Sequence, residues 1–153
     1  MSSFNRDPEI IRAIIIDHYE NPENWINENE VNKDQYTSFN ASTPSCIDNI
    51  TAHVFVKNNI IEDIKISGIA CAICTSSTDI MANIIKNKTI DGAIKIIDNY
   101  LNMIDAKEFD PALIGEMYLY ENVNKQVNRI NCAKVGIKGI KGALIEYVNR
   151  KQK

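Results

Sequence analysis

Four cysteines, Cys46, Cys71, Cys74 and Cys132, carry the most chemistry in this sequence, because thiolates bind borderline-soft metal ions and attack sulfur. The first residues, Met1 to Glu9, lack the basic and apolar pattern of an export signal, so a reducing compartment is expected, where structural disulfides are rare. Metal binding or sulfur chemistry is therefore the leading reading. A tetrahedral site needs a further group, and two are at hand: Asp48, two residues after Cys46, and Cys74. Four thiolates close a structural zinc site. Three thiolates and a carboxylate leave a weaker oxygen ligand, whose position an incoming sulfur or iron could take. His18 and His53 are expected to be satisfied residues in a helix and a strand rather than ligands. Burial as a small hydrophobe is the ordinary fate of a lone cysteine, but it explains the whole set less well.

The cysteines fall where secondary-structure elements meet. Asp7-Pro8-Glu9 starts a helix, with Ile11, Ile14, Ile15, His18 and Tyr19 on one face, and Asn21-Pro22 ends it. Periodicity is lost from Glu23 to Asp48, which reads as a long loop of the functional kind. Ile50 to Val56 alternates, Asn58-Asn59 can turn, and Ile61 to Ile66 runs back, so a hairpin follows Cys46. Cys71 then lies between hairpin and helix and Cys74 at the helix start, with Thr75, Ser76 and Ser77 as candidate caps. Thr89 caps the next helix, whose inner face is Ile90, Ala93, Ile94, Ile97, Leu101 and Ile104. Asp110-Pro111 restarts the chain into a helical segment toward Tyr120. The last helix is expected from about Arg129 to Asn149, with Cys132 in its first turn. Gly136, Gly139 and Gly142 each weaken that helix by about 1 kcal/mol relative to Ala, and they are read as allowing close approach to another element, with fraying near a mobile site as the alternative.

The 153 residues form one expected domain, 1–153, large enough for a core without a disulfide scaffold. At 44% hydrophobic and 24% charged residues the composition is that of a globular protein. Its 27 isoleucines and 4 leucines reflect a compositional bias and blunt isoleucine as a strand signal. A net charge of -3 with no basic block argues against nucleic acid and anionic lipid as partners. The longest apolar run, Ile69 to Cys74, is far below the roughly 20 residues of a membrane span. A soluble, cytoplasmic protein is expected.

Four stretches resemble the NifU amino-terminal or IscU-like iron-sulfur assembly family, and within it the SufU branch. Asp17-His18-Tyr19-Glu20-Asn21-Pro22 resembles D-H-Y-x-N-P, and Pro44-Ser45-Cys46-Ile47-Asp48 resembles P-x-C-G-D. Gly68-Ile69-Ala70-Cys71-Ala72-Ile73 resembles G-x-G-C-x-I, and Arg129-Ile130-Asn131-Cys132-Ala133 resembles R-x-K-C-A. The gaps between the three motif cysteines, 25 and 61 residues, are similar to those of SufU. Asn131 stands where IscU-type relatives have a histidine, which favours the SufU branch. Ile47 replaces a glycine, Ala70 another, and Cys74 a residue that is usually serine.

The resemblance implies an α+β fold, a short three-stranded antiparallel sheet packed on one face by helices, with its third strand within Gln35 to Ser42. It implies a metal site of Cys46, Asp48, Cys71 and Cys132 holding zinc, or alternatively iron or an iron-sulfur cluster. Cys46 is then the sulfur acceptor from a SufS-type cysteine desulfurase, with acceptor apoproteins or other assembly factors downstream. Cys74 and Arg129 are possible additions, Arg129 as a gate or a partner for an acidic group. The protein would be a zinc-dependent sulfurtransferase or a scaffold without independent turnover. A structural four-thiolate zinc module acting only in protein interaction is the competing reading.

Overall fold

The structure is a computed structural model that describes residues 7–43 and 47–151. It opens with α1 (Pro8–Glu20), where Asp7 accepts the Glu9 N–H at 2.9 Å and the Asn21 N–H closes on the Asp17 carbonyl. None of its residues is buried: Ile11, Ile14 and Ile15 rest partly on the core, and Tyr19, expected on the inner face, is 46% exposed. An amphipathic stripe this shallow leaves α1 dependent on polar anchoring, which His18 supplies.

Three antiparallel strands follow in the order β1 (Thr37–Ser42), β2 (Asn49–Lys57) and β3 (Ile60–Ile69). The stretch that periodicity reads as a loop thus holds a 3-10 turn, Glu28–Glu30, and the third strand, where the family resemblance puts it. Asn58 and Asn59 both have positive φ, 54° and 65°, as a two-residue hairpin turn of the mirror-image type requires. Ile50, Ala52, Val54 and Val56 of β2 share one buried face with Ile61, Ile64 and Ile66 of β3, and the helices cover it. His53 lies on the other face, fully buried between Ser38 Oγ (2.6 Å from Nδ1) and Ser67 Oγ (2.9 Å from Nε2). Tyr36, from the segment before β1, packs on Phe55 of that same face.

After β3 the chain enters α2 (Ala72–Ile85) directly. Its cap is Cys71, whose sulfur accepts the Cys74 N–H at 3.4 Å, and not the hydroxyls of residues 75–77. Those side chains are inside the helix and buried: Thr75, Ser76 and Ser77 donate back to the carbonyls of Ala70, Ile73 and Cys74. Thr89 does cap α3 (Ile90–Ile104), and Ile90, Ala93, Ile96, Ile97, Tyr100, Met103 and Ile104 are its buried residues. Ile94 and Leu101, expected among these, are only partly buried. The segment beyond Asp110 is a single turn, α4 (Pro111–Ile114), broken at Gly115 (φ +50°) and continued as a 3-10 helix, Gly115–Lys125.

The last helix, α5 (Val127–Lys151), starts two residues earlier than expected, so Cys132 falls in its second turn. Its glycines do permit close contact. A Cβ on Gly136 would overlap Thr78 Oγ1 of α2, and one on Gly142 would sit 2.6 Å from the Phe39 ring of β1. Among the described residues no helix is long and apolar enough to cross a membrane.

Candidate metal centre

Two chain junctions and the second turn of α5 converge at one end of the sheet. Asp48 immediately precedes β2, Cys71 links β3 to α2, and Cys132 faces them from α5. One ligand atom from each lies within 4.8 Å of the others. Two glycines make this possible. Gly68 has φ +113°, and a Cβ there would lie 2.9 Å from the Ile50 Cα, so only glycine lets β3 hug β2 and then swing to Cys71. Gly136, one helical turn beyond Cys132 on the same side of α5, brings that helix against α2.

Asp48 is 1% exposed and held by the backbone it faces: its Oδ1 accepts the Cys71 N–H at 2.7 Å. That bond fixes the carboxylate so that Oδ2 is directed at the sulfurs, 3.8 Å from Cys71 Sγ. Cys71 is half-buried and Cys132 is 8% exposed. Burial, a hydrogen bond and charge from Cys71, and Asp48 together push the Cys132 thiol far above its ordinary range. The Cys132 thiol, crowded against two acceptor groups in a dry corner, holds its proton more tightly, and a divalent cation reverses the sign of that interaction. Two thiolates and an oriented carboxylate are a donor set suited to zinc or iron, so the residues fit the metal that the sequence motifs imply.

Of the residues singled out in the sequence, Asp48, Cys71 and Cys132 are brought together. Cys46 lies outside the described residues, in the segment that joins β1 to Asp48. Cys74 is fully buried and not in the group; its sulfur is 4.0 Å from Thr78 Oγ1, and its thiol is pushed up by burial first and by Asp48 and Cys71 after it. A helix start ordinarily lowers a thiol's pKa, but at Cys74 and Cys132 desolvation wins. Arg129 is exposed in the first turn of α5 and lines a groove of about 430 Å³ with Arg12 and Ile73, outside the three-ligand group. Ile47 and Ile69, 70% and 72% exposed, flank the site as apolar side chains open to solvent.

His18 is a satisfied residue, as expected, but its partner was not visible in the sequence. Its Nδ1 is 2.7 Å from Oδ2 of Asp79, a fully buried carboxylate in the middle of α2. Asp79 also accepts the backbone N–H groups of Glu23 (3.0 Å) and Asn24 (2.9 Å) and the Asn24 amide (2.8 Å). His18, Glu23 and Asp79 lie close enough together to suggest a second metal group. The carboxylate's hydrogen bonds account for it as the bolt between α1, the segment after it, and α2. The lone acid of α2, directly before the apolar run Ile80-Met81-Ala82, was the available signal.

A model of the NifU-like N-terminal domain matches residues 11–153. This chain belongs to that family. The zinc-dependent sulfurtransferase SufU of Bacillus subtilis (strain 168) is 31% identical to this NifU-like domain over 140 residues, 90% of this chain and 92% of that protein. The iron-sulfur cluster assembly scaffold protein IscU of Streptococcus pyogenes serotype M1 is 27% identical over 139 residues, 90% of this chain and 84% of its own. A crystal structure described as a candidate iron-sulfur cluster assembly scaffold for the SUF system, from Fervidobacterium islandicum AW-1, superimposes with TM-score 0.80 at 25% identity. That match covers 90% of this chain and 98% of the other. A NifU-like amino-terminal domain from Brucella abortus, at 16% identity, TM-score 0.77 and coverage of 96% and 99%, shows the shared fold. The family and α+β architecture expected from the motifs both hold.

Proposed function

We propose that this protein is a cytoplasmic iron-sulfur cluster assembly protein of the SufU type, taking sulfur from a cysteine desulfurase and delivering it toward acceptor apoproteins. The observation that carries the reading is the convergence of Asp48, Cys71 and Cys132 within 4.8 Å, each from a different part of the chain. Cys46, two residues before Asp48, would complete the set. Zinc bound there would keep the thiolates deprotonated at neutral pH.

Cys46 is the acceptor in this reading, since it is the first motif cysteine, the one that the SufU resemblance marks for this role. Its thiolate attacks the outer sulfur of the desulfurase persulfide. The persulfide S–S bond breaks, a new S–S bond forms on Cys46, and the desulfurase thiolate leaves. Asp48 supplies the weaker oxygen ligand, held in place by the Cys71 N–H so that exchange does not collapse the site. The name of the Bacillus subtilis relative supports zinc, and the IscU relatives support assembly of a cluster as cargo.

The four-thiolate structural module requires Cys74 in the metal shell and Asp48 outside it. The opposite arrangement, with Asp48 against Cys71 and Cys132 and Cys74 sealed beneath, speaks against it. The test is a SufS-type desulfurase assay with and without this protein and with its Cys46→Ala variant, each checked for native circular dichroism. Stimulation of alanine and sulfide release by the wild type alone is expected. No stimulation by folded, zinc-loaded wild type would refute transfer.

A further inference from the structure

The two edges of the sheet are treated differently. The outer edge of β3 is occupied by the chain itself: Ile26 N–H bonds to the Ile66 carbonyl at 2.8 Å, Ile66 N–H to the Asn24 carbonyl at 2.8 Å, and Ile61 N–H to the Lys88 carbonyl at 2.9 Å. Among the described residues, the outer edge of β1 has no strand beside it and no hydrogen-bond partner there. An unpaired edge is a row of donors and acceptors that folded proteins normally cover or blunt.

Along that edge runs a groove of about 410 Å³. One wall is the consecutive run from Phe39 to Thr43. The other is a single stripe of α5, Asn131, Lys134, Val135 and Lys138, at the spacing of one helix side. The floor is therefore a helix that already supports β1, and an added strand would simply extend the sheet across it. The lining contains two lysines and no acid. Lys134 bonds Asp105 at 2.8 Å, whereas Lys138 is exposed and makes no ion pair with another described residue.

We infer that the open edge of β1 and the lysine-bearing stripe of α5 form a strand-addition site for an extended segment of a second protein that carries acidic side chains on its α5-facing side. Main-chain bonds to β1 would give affinity, and Lys138, with Lys134 beside it, would select charge. A second copy of this chain is a poorer occupant. The β1 sequence Thr-Ser-Phe-Asn-Ala-Ser has no acid to offer, and pairing two edges would bring the lysine stripes of both copies together. This inference stands on the sheet edge alone and survives if the sulfur-transfer reading fails.

The probe is an end-capped heptapeptide alternating Val and Glu, titrated into the full chain while backbone amide exchange is followed by NMR. Expected is slowed exchange at alternate amides of β1 and shifts at residues 134–138. Two peptides with alternate amides N-methylated, on one edge or the other, provide the control. Only the one that removes the β1-facing donors should lose binding. Lys138→Glu should weaken the Glu peptide by about fivefold to tenfold and favour a Val/Lys peptide. Equal binding of both methylated peptides, protection centred elsewhere, or slow β1 exchange that depends on protein concentration without peptide would each overturn the proposal, the last in favour of self-pairing.

Discussion

Replacing Gly136 by Ala tests whether the close approach of α5 to α2 sets the spacing of the candidate ligands. Alanine at an unstrained mid-helix position stabilises by about 1 kcal/mol relative to glycine. Here its methyl would overlap Thr78 Oγ1 and lie 2.9 Å from Thr78 Cβ and 3.0 Å from Ile50 Cδ1. A rotamer change relieves the hydroxyl but not the Cβ, which is fixed to the α2 backbone. Reaching a normal carbon contact of about 3.5–4.0 Å requires the helices to part by roughly 1 Å. Overpacking of this size costs about 1–3 kcal/mol, so the net loss is about 0–2 kcal/mol in metal-free protein. The site should suffer more. Cys132 sits one turn away on the same side, and thiolates sharing a tetrahedral zinc lie only about 3.8 Å apart, given Zn–S bonds of about 2.3 Å. A shift of about 1 Å should lower zinc affinity about 10- to 100-fold, read by chelator competition alongside urea denaturation. Gly142→Ala is the control, since the Phe39 ring it meets is 42% exposed and can swing aside. Unchanged zinc affinity in folded Gly136→Ala would refute the link between helix contact and ligand spacing.

Three further outcomes follow from the packing. Cys74→Ala should cost about 1 kcal/mol as a small buried cavity yet leave zinc stoichiometry and affinity unchanged, measured by metal analysis after gel filtration; loss of zinc would put Cys74 in the ligand shell. His18→Ala removes one partner of the buried Asp79 and should cost about 1.5–3 kcal/mol, with faster amide exchange confined to α1 and residues 21–26; uniform loss across the fold would contradict its role as a local bolt. His53 has its pKa lowered by burial first, then by Lys33, with Glu28 opposing. The unfolded chain therefore binds the proton more readily, and stability falls as pH drops through the ordinary histidine value of about 6.5 toward the folded-state value. Urea titrations between pH 7.5 and 5.5 should show a shallower slope for His53→Asn, and an equal slope would remove His53 from the account.

The parts of the fold legible in the sequence were those with local causes. The Asp7-Pro8 start, the Asn58-Asn59 hairpin turn and the Thr89 cap each depend on a few neighbouring residues, and each is found. The strand β1 gave no periodic signal because Thr37–Ser42 is an edge strand resting on glycines of α5, with Phe39 left half open; only the family motifs pointed to it. Thr75, Ser76 and Ser77 looked like caps because hydroxyls usually serve there. They bond back to carbonyls three to five residues earlier, Ser76 also reaching the Tyr120 hydroxyl at 2.6 Å, and a cysteine takes the capping place. The glycines of α5 announced a close approach, but not which neighbour each would meet. The ligand candidates were readable by residue type, whereas the Asp79 anchor was not, because its partners lie 55 to 61 residues away in the chain.

The central claim is that Asp48 shares one ion with the sulfurs of Cys46, Cys71 and Cys132. X-ray absorption at the zinc edge of the loaded protein tests it directly. Three sulfurs at about 2.3 Å and one oxygen at about 2.0–2.2 Å are expected, with the oxygen altered in Asp48→Ala. A shell of four sulfurs, unchanged by that substitution, would contradict it.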